Sequence, residues 1–359
     1  MRILCYINTL GRGGAERVLA NLATCFAKDN NEVIFVTSYP VDKEYQLDHR
    51  INRINLSNIR IEGNAINRNV KYISTLRRII KQLKPDICLS FMAEPNFRLL
   101  LATKGIKQKK IISIRNDPKR EYPGVTAYLA KILFVQADGI VFQTQEAKAW
   151  FSKRIQNKSA IIYNQVDNKF YNKRIGDYAQ RKDIVTVGRL TDQKNHKLLI
   201  KAFAIIKDEI NEDLYIYGDG PLKEQLLSYI RELKIENRVH LMGIRHDIEE
   251  QLPKYKLFIL SSDYEGMPNS LMEAMASGIA CISTDCPCGG PRELFGEEGE
   301  QFLFEVNNAE KLTEKIKEIV CHNNKLIENA CLMEIRANSF TGNKVYTEWK
   351  NYFEVVSHS

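Results

Sequence analysis

Long apolar runs are missing from this chain of 359 residues. No stretch reaches the roughly 18–20 consecutive apolar residues that a membrane-spanning helix needs, so no spanning segment is expected. The opening "MRILCYINTL" holds one Arg and a short apolar run. It then enters a polar glycine loop with no small-residue cleavage site, and no signal peptide is expected. Zinc-type cysteine pairs are also absent. Eight cysteines are scattered along the chain, and the one close pair, Cys286 and Cys288 in "CPC", lacks the CxxC spacing of a metal site. That scatter fits reduced thiols in a cytoplasmic setting. There is no short internal repeat, no low-complexity segment and no Asp-x-Asp, and no metal or other cofactor is expected.

What is present reads as globular. A hydrophobic share of 44% with 27% charged residues is ordinary for folded domains, and the length fits two of about 150–200 residues each. Charge is divided unevenly. Residues 1–160 carry 27 Lys and Arg against 13 Asp and Glu, and the remainder carries 25 against 31. An anionic partner for the first half follows: nucleic acid, a membrane surface or an anionic lipid-linked substrate.

Short apolar runs alternate with amphipathic stretches. In the first half "RILCYIN", "EVIFVTS", "DICLSF", "KKIISI" and "GIVFQT" read as buried strands. The segment "GGAERVLANLATCFAKD" reads as a helix with Val18, Leu22 and Cys25/Phe26 on one face. A second helix, Asn69 to Lys84, places Val70, Ile73, Leu76, Ile80 and Leu83 at helical spacing and ends before Pro85. After "SAIIYNQVDNKF", a last strand leading into a polar linker, the pattern restarts with "IVTVG", "LYIYG", "RVHLMG", "LFILSS" and "IACIST". Continuous apolar strands alternating with helices imply parallel sheets covered on both faces. The fold class is α/β: two doubly wound domains in tandem, whose ligands bind beyond the carboxyl ends of the strands.

Three segments carry candidate chemistry. In "DYEGMPNSLMEAMASG" a strand runs out at Glu265, and a short helix begins near Asn269 and closes at Gly278. The first amides of that helix, at Asn269, Ser270 and Leu271, suit a diphosphate, because free N–H groups and the helix dipole both favour anions. Glu273 lies one turn inside, where a carboxylate suits a diol. The same residue completes a Ser-x-x-Glu capping box with Ser270, and the two readings stand side by side. Glu265 is either a ligand carboxylate or a solvated turn residue. In "VTVGRLTDQKNH", Arg189 and Lys194 follow a strand end and would neutralise a diphosphate. In "NTLGRGGAERV", a strand, a glycine loop and a helix make a phosphate-friendly turn at Gly13 and Gly14. It lacks the third glycine of a dinucleotide fingerprint and the Lys-Ser/Thr of a P-loop.

Together with "YGDGP" at 217–221, these segments resemble a family-4 retaining glycosyltransferase of the GT-B fold, across nearly the whole chain. The E-x7-E run from Glu265 to Glu273 is the most specific part. The resemblance implies two facing Rossmann-like domains, 1–165 for the acceptor and 166–338 for the donor, with residues 339–359 crossing back onto the first. It implies that Glu273 holds a ribose and that Arg189 and Lys194 grip a diphosphate beside the Asn269–Leu271 amides. Glu265, with the Gly266 and Met267 amides, would touch the sugar. Gly13 and Gly14 would approach the donor, as would Gly289 and Gly290, and the base would lie near Gly218, Ile244 and Arg245. Many members carry a sugar-contacting His where this chain has "SIRNDP", so Arg115 or Asn116 would take its place.

The implied reaction moves a hexose or N-acetylhexosamine from a nucleotide sugar, UDP by family habit, to a lipid-diphosphate-linked or oligosaccharide acceptor, in bacterial surface-glycan assembly, with retention and without a metal. The basic residues Lys71, Arg77, Arg78, Lys81 and Lys84, with "KGIKQKK", would rest on an anionic membrane, placing the protein on the cytoplasmic face as a peripheral enzyme. Two alternatives stand: a nucleotide-sugar 2-epimerase of the same fold, and a basic nucleic-acid-binding protein. The basic half has no RNA-binding aromatic motif and no zinc module, so no nucleic-acid partner is expected.

Overall fold

The computed structural model describes residues 1–11, 13–58, 65–172 and 178–358; Arg12 of the glycine loop lies outside them. The chain divides into two compact units, Met1–Asn164 with Val345–Ser359, and Gln165–Lys344. Each is built on one parallel sheet.

In the first unit the strands are β1 (Arg2–Ile7), β2 (Glu32–Thr37), β3 (Asn52–Asn55), β4 (Ile87–Phe91), β5 (Lys109–Ser113), β6 (Gly139–Phe142) and β7 (Ser159–Ile161). Their order across the sheet is β3-β2-β1-β4-β5-β6-β7. In the second unit β8 (Lys182–Val187), β9 (Leu214–Tyr217), β10 (Val239–Gly243), β11 (Tyr255–Leu260), β12 (Ala280–Thr284) and β13 (Leu303–Phe304) lie in the order β10-β9-β8-β11-β12-β13. Helices on both faces strip water from the central strands, which is why β4, β6 and β12 are buried from end to end. Two strands escape the pattern reading. β3, "NRIN", is a polar edge strand with no apolar run, and β13 has two residues.

Each strand order reverses once, between β1 and β4 and between β8 and β11. At such a point the loops leaving two neighbouring strands diverge to opposite faces and leave a crevice at the carboxyl edge. These two places position everything described below.

The helix Gly14–Lys28 buries Val18, Leu22 and Phe26 at four-residue spacing, with Leu19 and Ala23 beside them. The helix Ala65–Leu83 is rotated from the expected face. Tyr72, Leu76 and Ile80 are its buried row, while Val70 is exposed. Tyr72 is the longer side chain, and its ring lies under the Arg98 guanidinium, 4.7 Å from centroid to Cζ. Lys84, at φ 47°, and Pro85 end that helix. Arg77, expected to rest on an anionic membrane, instead donates to the Ala102 and Lys104 carbonyls, each at 2.7 Å.

The C-terminal helix Gly342–His358 packs, from Val345 onward, in the core of the first unit. Trp349 is fully buried, with its ring 5.8 Å from Phe91 and 5.9 Å from Phe353. Phe353 stacks on Phe26 at 4.8 Å. The Tyr352 hydroxyl accepts from the Ile140 amide at 2.8 Å and donates to the Lys158 carbonyl at 2.7 Å. Gly139 permits this approach, since a Cβ there would sit 2.8 Å from both the Tyr352 hydroxyl and Val356.

A buried carboxyl starts the helix Ala93–Ala102. Glu121 Oε1 accepts from the Ala93 amide at 2.9 Å, whereas Oε2 is buried without a hydrogen-bond partner among the described residues. Burial pushes this carboxyl up to about 7, against the pull of the Ala93 amide and of Arg115.

Two outcomes follow from these contacts. Trp349→Ala should cost about 3–5 kcal/mol in denaturant unfolding, because a large buried ring leaves a cavity that aromatic neighbours cannot fill. For Glu121, the unfolded chain releases its proton before the folded one does. Stability should therefore fall as pH rises from the ordinary carboxyl range to about 7. Unfolding free energies of wild type and Glu121→Gln, measured at pH 5 and pH 8, should show a smaller decline in the variant.

Candidate functional site

At the carboxyl edge of the second sheet, the loop after β8 begins at Gly188 and Arg189. It passes through a tight turn at Asp192–Lys194 into the helix His196–Ile206. The loop after β11 runs from Ser261 to Pro268 and into the helix Asn269–Ala276. Hydrogen bonds stitch the two loops together. Gln193 Nε2 donates to the Tyr264 carbonyl at 2.9 Å, the Asp263 amide donates to the Gln193 carbonyl at 2.9 Å, and Ser261 Oγ donates to the Lys194 carbonyl at 2.9 Å. Asn195, at φ 43°, caps the following helix through the Leu198 amide and donates to Asp263 Oδ1 at 2.7 Å.

The centre of this arrangement is an ion pair between Lys194 Nζ and Glu265 Oε1, with side chains 18% and 8% exposed. Ser262 Oγ donates to the same oxygen at 2.7 Å. Lys194 and Glu265, assigned separate tasks from the sequence, are thus one unit in this structure. Arg189 is exposed and makes no side-chain hydrogen bond or ion pair among the described residues. His196 is buried behind them. Burial, with the Lys194 charge nearby, pulls its pKa down to about 4, so the ring is neutral near pH 7.

Glu273 is buried, 7% exposed, on the helix that starts at Asn269. Pro268 is the N-cap and offers no side-chain cap, so Ser270 lies inside the helix and the capping-box geometry does not form. The first turn of the helix leaves amides without carbonyl partners of their own helix, at the mouth of the β8/β11 crevice. Gly266 and Met267 lead into it. Gly290 lies so close that a Cβ there would be 1.8 Å from the Gly266 carbonyl oxygen, which fixes the turn. Packing on Gly266 is therefore what Gly290 demonstrably does.

Gly218 follows β9 with φ 142°, and a Cβ there would be 1.9 Å from the Gly188 carbonyl oxygen. Only glycine lets these two strand-end loops touch. Beyond β10, Ile244 is 57% exposed, and Arg245 forks onto Asp247 at 2.9 and 2.7 Å, which holds that carboxyl well below its ordinary range.

In the first unit, Gly13 is the N-cap of the Gly14–Lys28 helix. The Glu16 carboxylate curls back over it, so that a Cβ on Gly13 would meet Oε2 at 2.0 Å. Partial burial raises the Glu16 pKa. An anion reaching Gly13 and Gly14 would first have to displace this carboxylate.

Arg115 follows β5 and is buried. Its guanidinium lies 4.4 Å from the Phe91 centroid and donates to Asn164 Oδ1 and, at 3.3 Å, to Ser113 Oγ. Burial pulls its pKa down to about 9. The half-buried Asn116 accepts from the Asp117 amide at 2.9 Å.

One polar network was not foreseen. It fills the β1/β4 switch point of the first sheet. The buried Arg98 donates to Asn69 Oδ1 at 2.8 Å, Asn8 Oδ1 at 2.7 Å and Ser38 Oγ at 3.0 Å, and also to Glu94 Oε1. Asn8 Nδ2 donates to Glu94 Oε2 at 2.7 Å. Both carboxylate oxygens are held, yet Glu94 remains 50% exposed at the edge where ligands of such sheets bind. The spacing of Glu94 and Arg98 was visible in the sequence; their convergence with Asn8 and Ser38 was not.

Comparison with known proteins matches the chain to two family models. Residues 12–170 match "Glycosyltransferase Family 4" and residues 167–331 match "Glycosyl transferases group 1". The chain is 29% identical, over 87% of its length and 88% of the relative's, to the N-acetylgalactosamine-N,N'-diacetylbacillosaminyl-diphospho-undecaprenol 4-alpha-N-acetylgalactosaminyltransferase of Campylobacter jejuni. It is 26% identical, over 82% of both chains, to the lipopolysaccharide 1,6-galactosyltransferase of Escherichia coli. Among solved structures, Anabaena HepE in complex with UDP and glucose has a TM-score of 0.79 at 17% identity, covering 99% of this chain and all of that one. The lipopolysaccharide outer core galactosyltransferase WaaB gives 0.76 at 21%, covering 99% of each. The paired matches, 12–170 and 167–331, and the two parallel sheets lead to one conclusion: the chain belongs to the family-4-like glycosyltransferases of the GT-B fold.

Proposed function

We propose that this protein transfers a hexose or N-acetylhexosamine from a UDP-sugar to a lipid-diphosphate-linked glycan, with retention of anomeric configuration, during assembly of a bacterial surface polysaccharide or glycoprotein glycan. The observation that carries the reading is the second unit's switch point. There the uncommitted Arg189, the Lys194–Glu265 pair and the first turn of the Asn269 helix converge. Support also comes from UDP in the Anabaena HepE complexes and from the diphospho-undecaprenol acceptor in the name of the Campylobacter relative.

In this reading the diphosphate docks on the helix amides and Arg189. Lys194 turns from Glu265 toward it, Glu273 takes the ribose hydroxyls, and the Gly266 and Met267 amides face the sugar. The bond from the anomeric carbon to the diphosphate oxygen lengthens, and positive charge grows on the sugar ring. Negative charge grows on the departing UDP, where Arg189, Lys194 and the helix N-terminus stabilise it. Preorganised groups of this kind contribute about 2.7–4 kcal/mol each. The acceptor hydroxyl approaches the same face, forms the new bond and yields its proton to the departing diphosphate. Glu94 at the first unit's switch point is a carboxylate suited to acceptor hydroxyls. In this reading, with a nucleotide-sugar donor and a lipid carrier, the enzyme works at the cytoplasmic face of a membrane.

The test is a donor screen by nucleotide release, followed by anomeric analysis of the product by NMR. With the preferred donor, Arg189→Ala should lower kcat by about 10²–10³. Glu273→Gln should weaken donor binding about tenfold or more by calorimetry, since each hydroxyl bond to a carboxylate contributes roughly 1.5–3 kcal/mol. Full turnover in both variants, or a product of inverted configuration, would refute the assignment.

A further inference from the structure

In the first unit, the helix Val125–Leu133 is turned inside out. Val125 is 75% exposed, Tyr128 67%, Leu129 42% and Ile132 48%, while Ala130 is its one buried residue. Positions 125, 128, 129 and 132 fall on one side of a helix. Four large apolar side chains in a row on the water side exceed the scattered single exposures that any protein shows. Leu101, 41% exposed, ends the neighbouring helix Ala93–Ala102. That helix packs against both the Val125–Leu133 helix and the basic Ala65–Leu83 helix.

Charge says what could cover this stripe. From Phe97 to Gln136 the acidic residues are Asp117 and Glu121, and neither is exposed. Lys104, Lys107, Lys119 and Lys131 in that span are exposed. The Ala65–Leu83 helix contains no acidic residue at all. An apolar row with a tyrosine at its middle, flanked within its own segment by exposed lysines, of which Lys131 has its Nζ 4.4 Å from the Trp150 ring centroid, matches a surface that is apolar beneath and anionic above. That is the headgroup boundary of an anionic bilayer. A protein partner would more commonly meet a polar rim around an apolar centre, with Lys depleted relative to the rest of the surface.

We propose that the Val125–Leu133 helix is the membrane-docking element of this protein. It seats Val125, Tyr128, Leu129 and Ile132 in the interface of an anionic lipid bilayer, with Lys104, Lys107, Lys119 and Lys131 on the headgroups. Docking by the Ala65–Leu83 helix through charge alone fits less well. Its Arg77 is held by backbone carbonyls, and its exposed large apolar residues are Ile66 and Val70. The inference draws on the proposed reaction only for the lipid-linked acceptor. Its test uses neither donor nor acceptor, so it can fail while that reading stands.

The experiment is co-sedimentation of the full chain with vesicles of phosphatidylcholine alone and with about one-third phosphatidylglycerol, at about 0.1 M and about 0.5 M salt. Wild type should bind the anionic vesicles, bind less at the higher salt, and bind neutral vesicles weakly. The triple variant Tyr128→Ser, Leu129→Ser, Ile132→Ser should lose about tenfold or more in partitioning with an unchanged melting midpoint. Should that variant misfold, the conservative Tyr128→Trp serves instead. Its fluorescence should be quenched by brominated lipid in anionic vesicles. Three results would overturn the proposal: no binding of wild type to anionic vesicles, unchanged binding of the triple variant or no quenching of the Trp, and a wild-type dimer that the triple variant dissolves into monomers.

Discussion

A buried carboxylate without a partner would cost several kcal/mol, and Glu265, 6% exposed, is buried enough to need one. Lys194 and Ser262 satisfy it. Because Lys194 comes from the loop after β8 and Glu265 from the loop after β11, satisfying that charge also pins together the two loops that diverge at the switch point. Asn195, Gln193 and Ser261 add neutral hydrogen bonds across the same seam. The protein's own hydrogen bonds thus join the two loops, while Arg189 makes no side-chain hydrogen bond or ion pair among the described residues. In the proposed reaction Lys194 would exchange Glu265 for the diphosphate of the donor.

Close backbone approach is the other constraint. Gly218 lies against the Gly188 carbonyl and Gly290 against the Gly266 carbonyl, where any Cβ would collide. These glycines hold the loop after β9 on the loop after β8, and the Gly290–Phe295 helix on the turn after Glu265. The rigidity of the turn carrying Gly266 and Met267 follows from missing side chains as much as from hydrogen bonds.

The first unit solves a related problem with a cation. Arg98 is buried, and its donors are distributed over Asn8, Ser38, Asn69 and Glu94. Buried ion pairs are weak evidence for stability, because desolvation offsets most of the attraction. What this one does is hold a half-exposed carboxylate in fixed orientation at the carboxyl edge of β1 and β4. The core of the same unit also takes in the C-terminal helix, whose Trp349 and Phe353 complete the aromatic cluster around Phe26 and Phe91.

The strands of both sheets, apart from β3 and β13, were legible in the sequence, because a strand buried on both faces must be apolar along its length. The end of the Ala65–Leu83 helix at Pro85 and the left-handed Gly278 after the Asn269–Ala276 helix were legible for equally local reasons. So was the concentration of candidate ligands at strand ends. Periodicity could not say that Tyr72 would replace Val70 in the core, since that depended on an arginine 26 positions away stacking on the ring. Nor could it say that Arg77 and Arg115 would be consumed by carbonyls and an asparagine, or that the Val125–Leu133 helix would turn its apolar side to water. The sequence by itself determined the parallel sheets and the residues at their carboxyl edges, because strand burial and chain direction are local and periodic properties. Tertiary structure alone decided which charges pair and which remain free, because that choice belongs to side chains brought together from strands far apart in the chain.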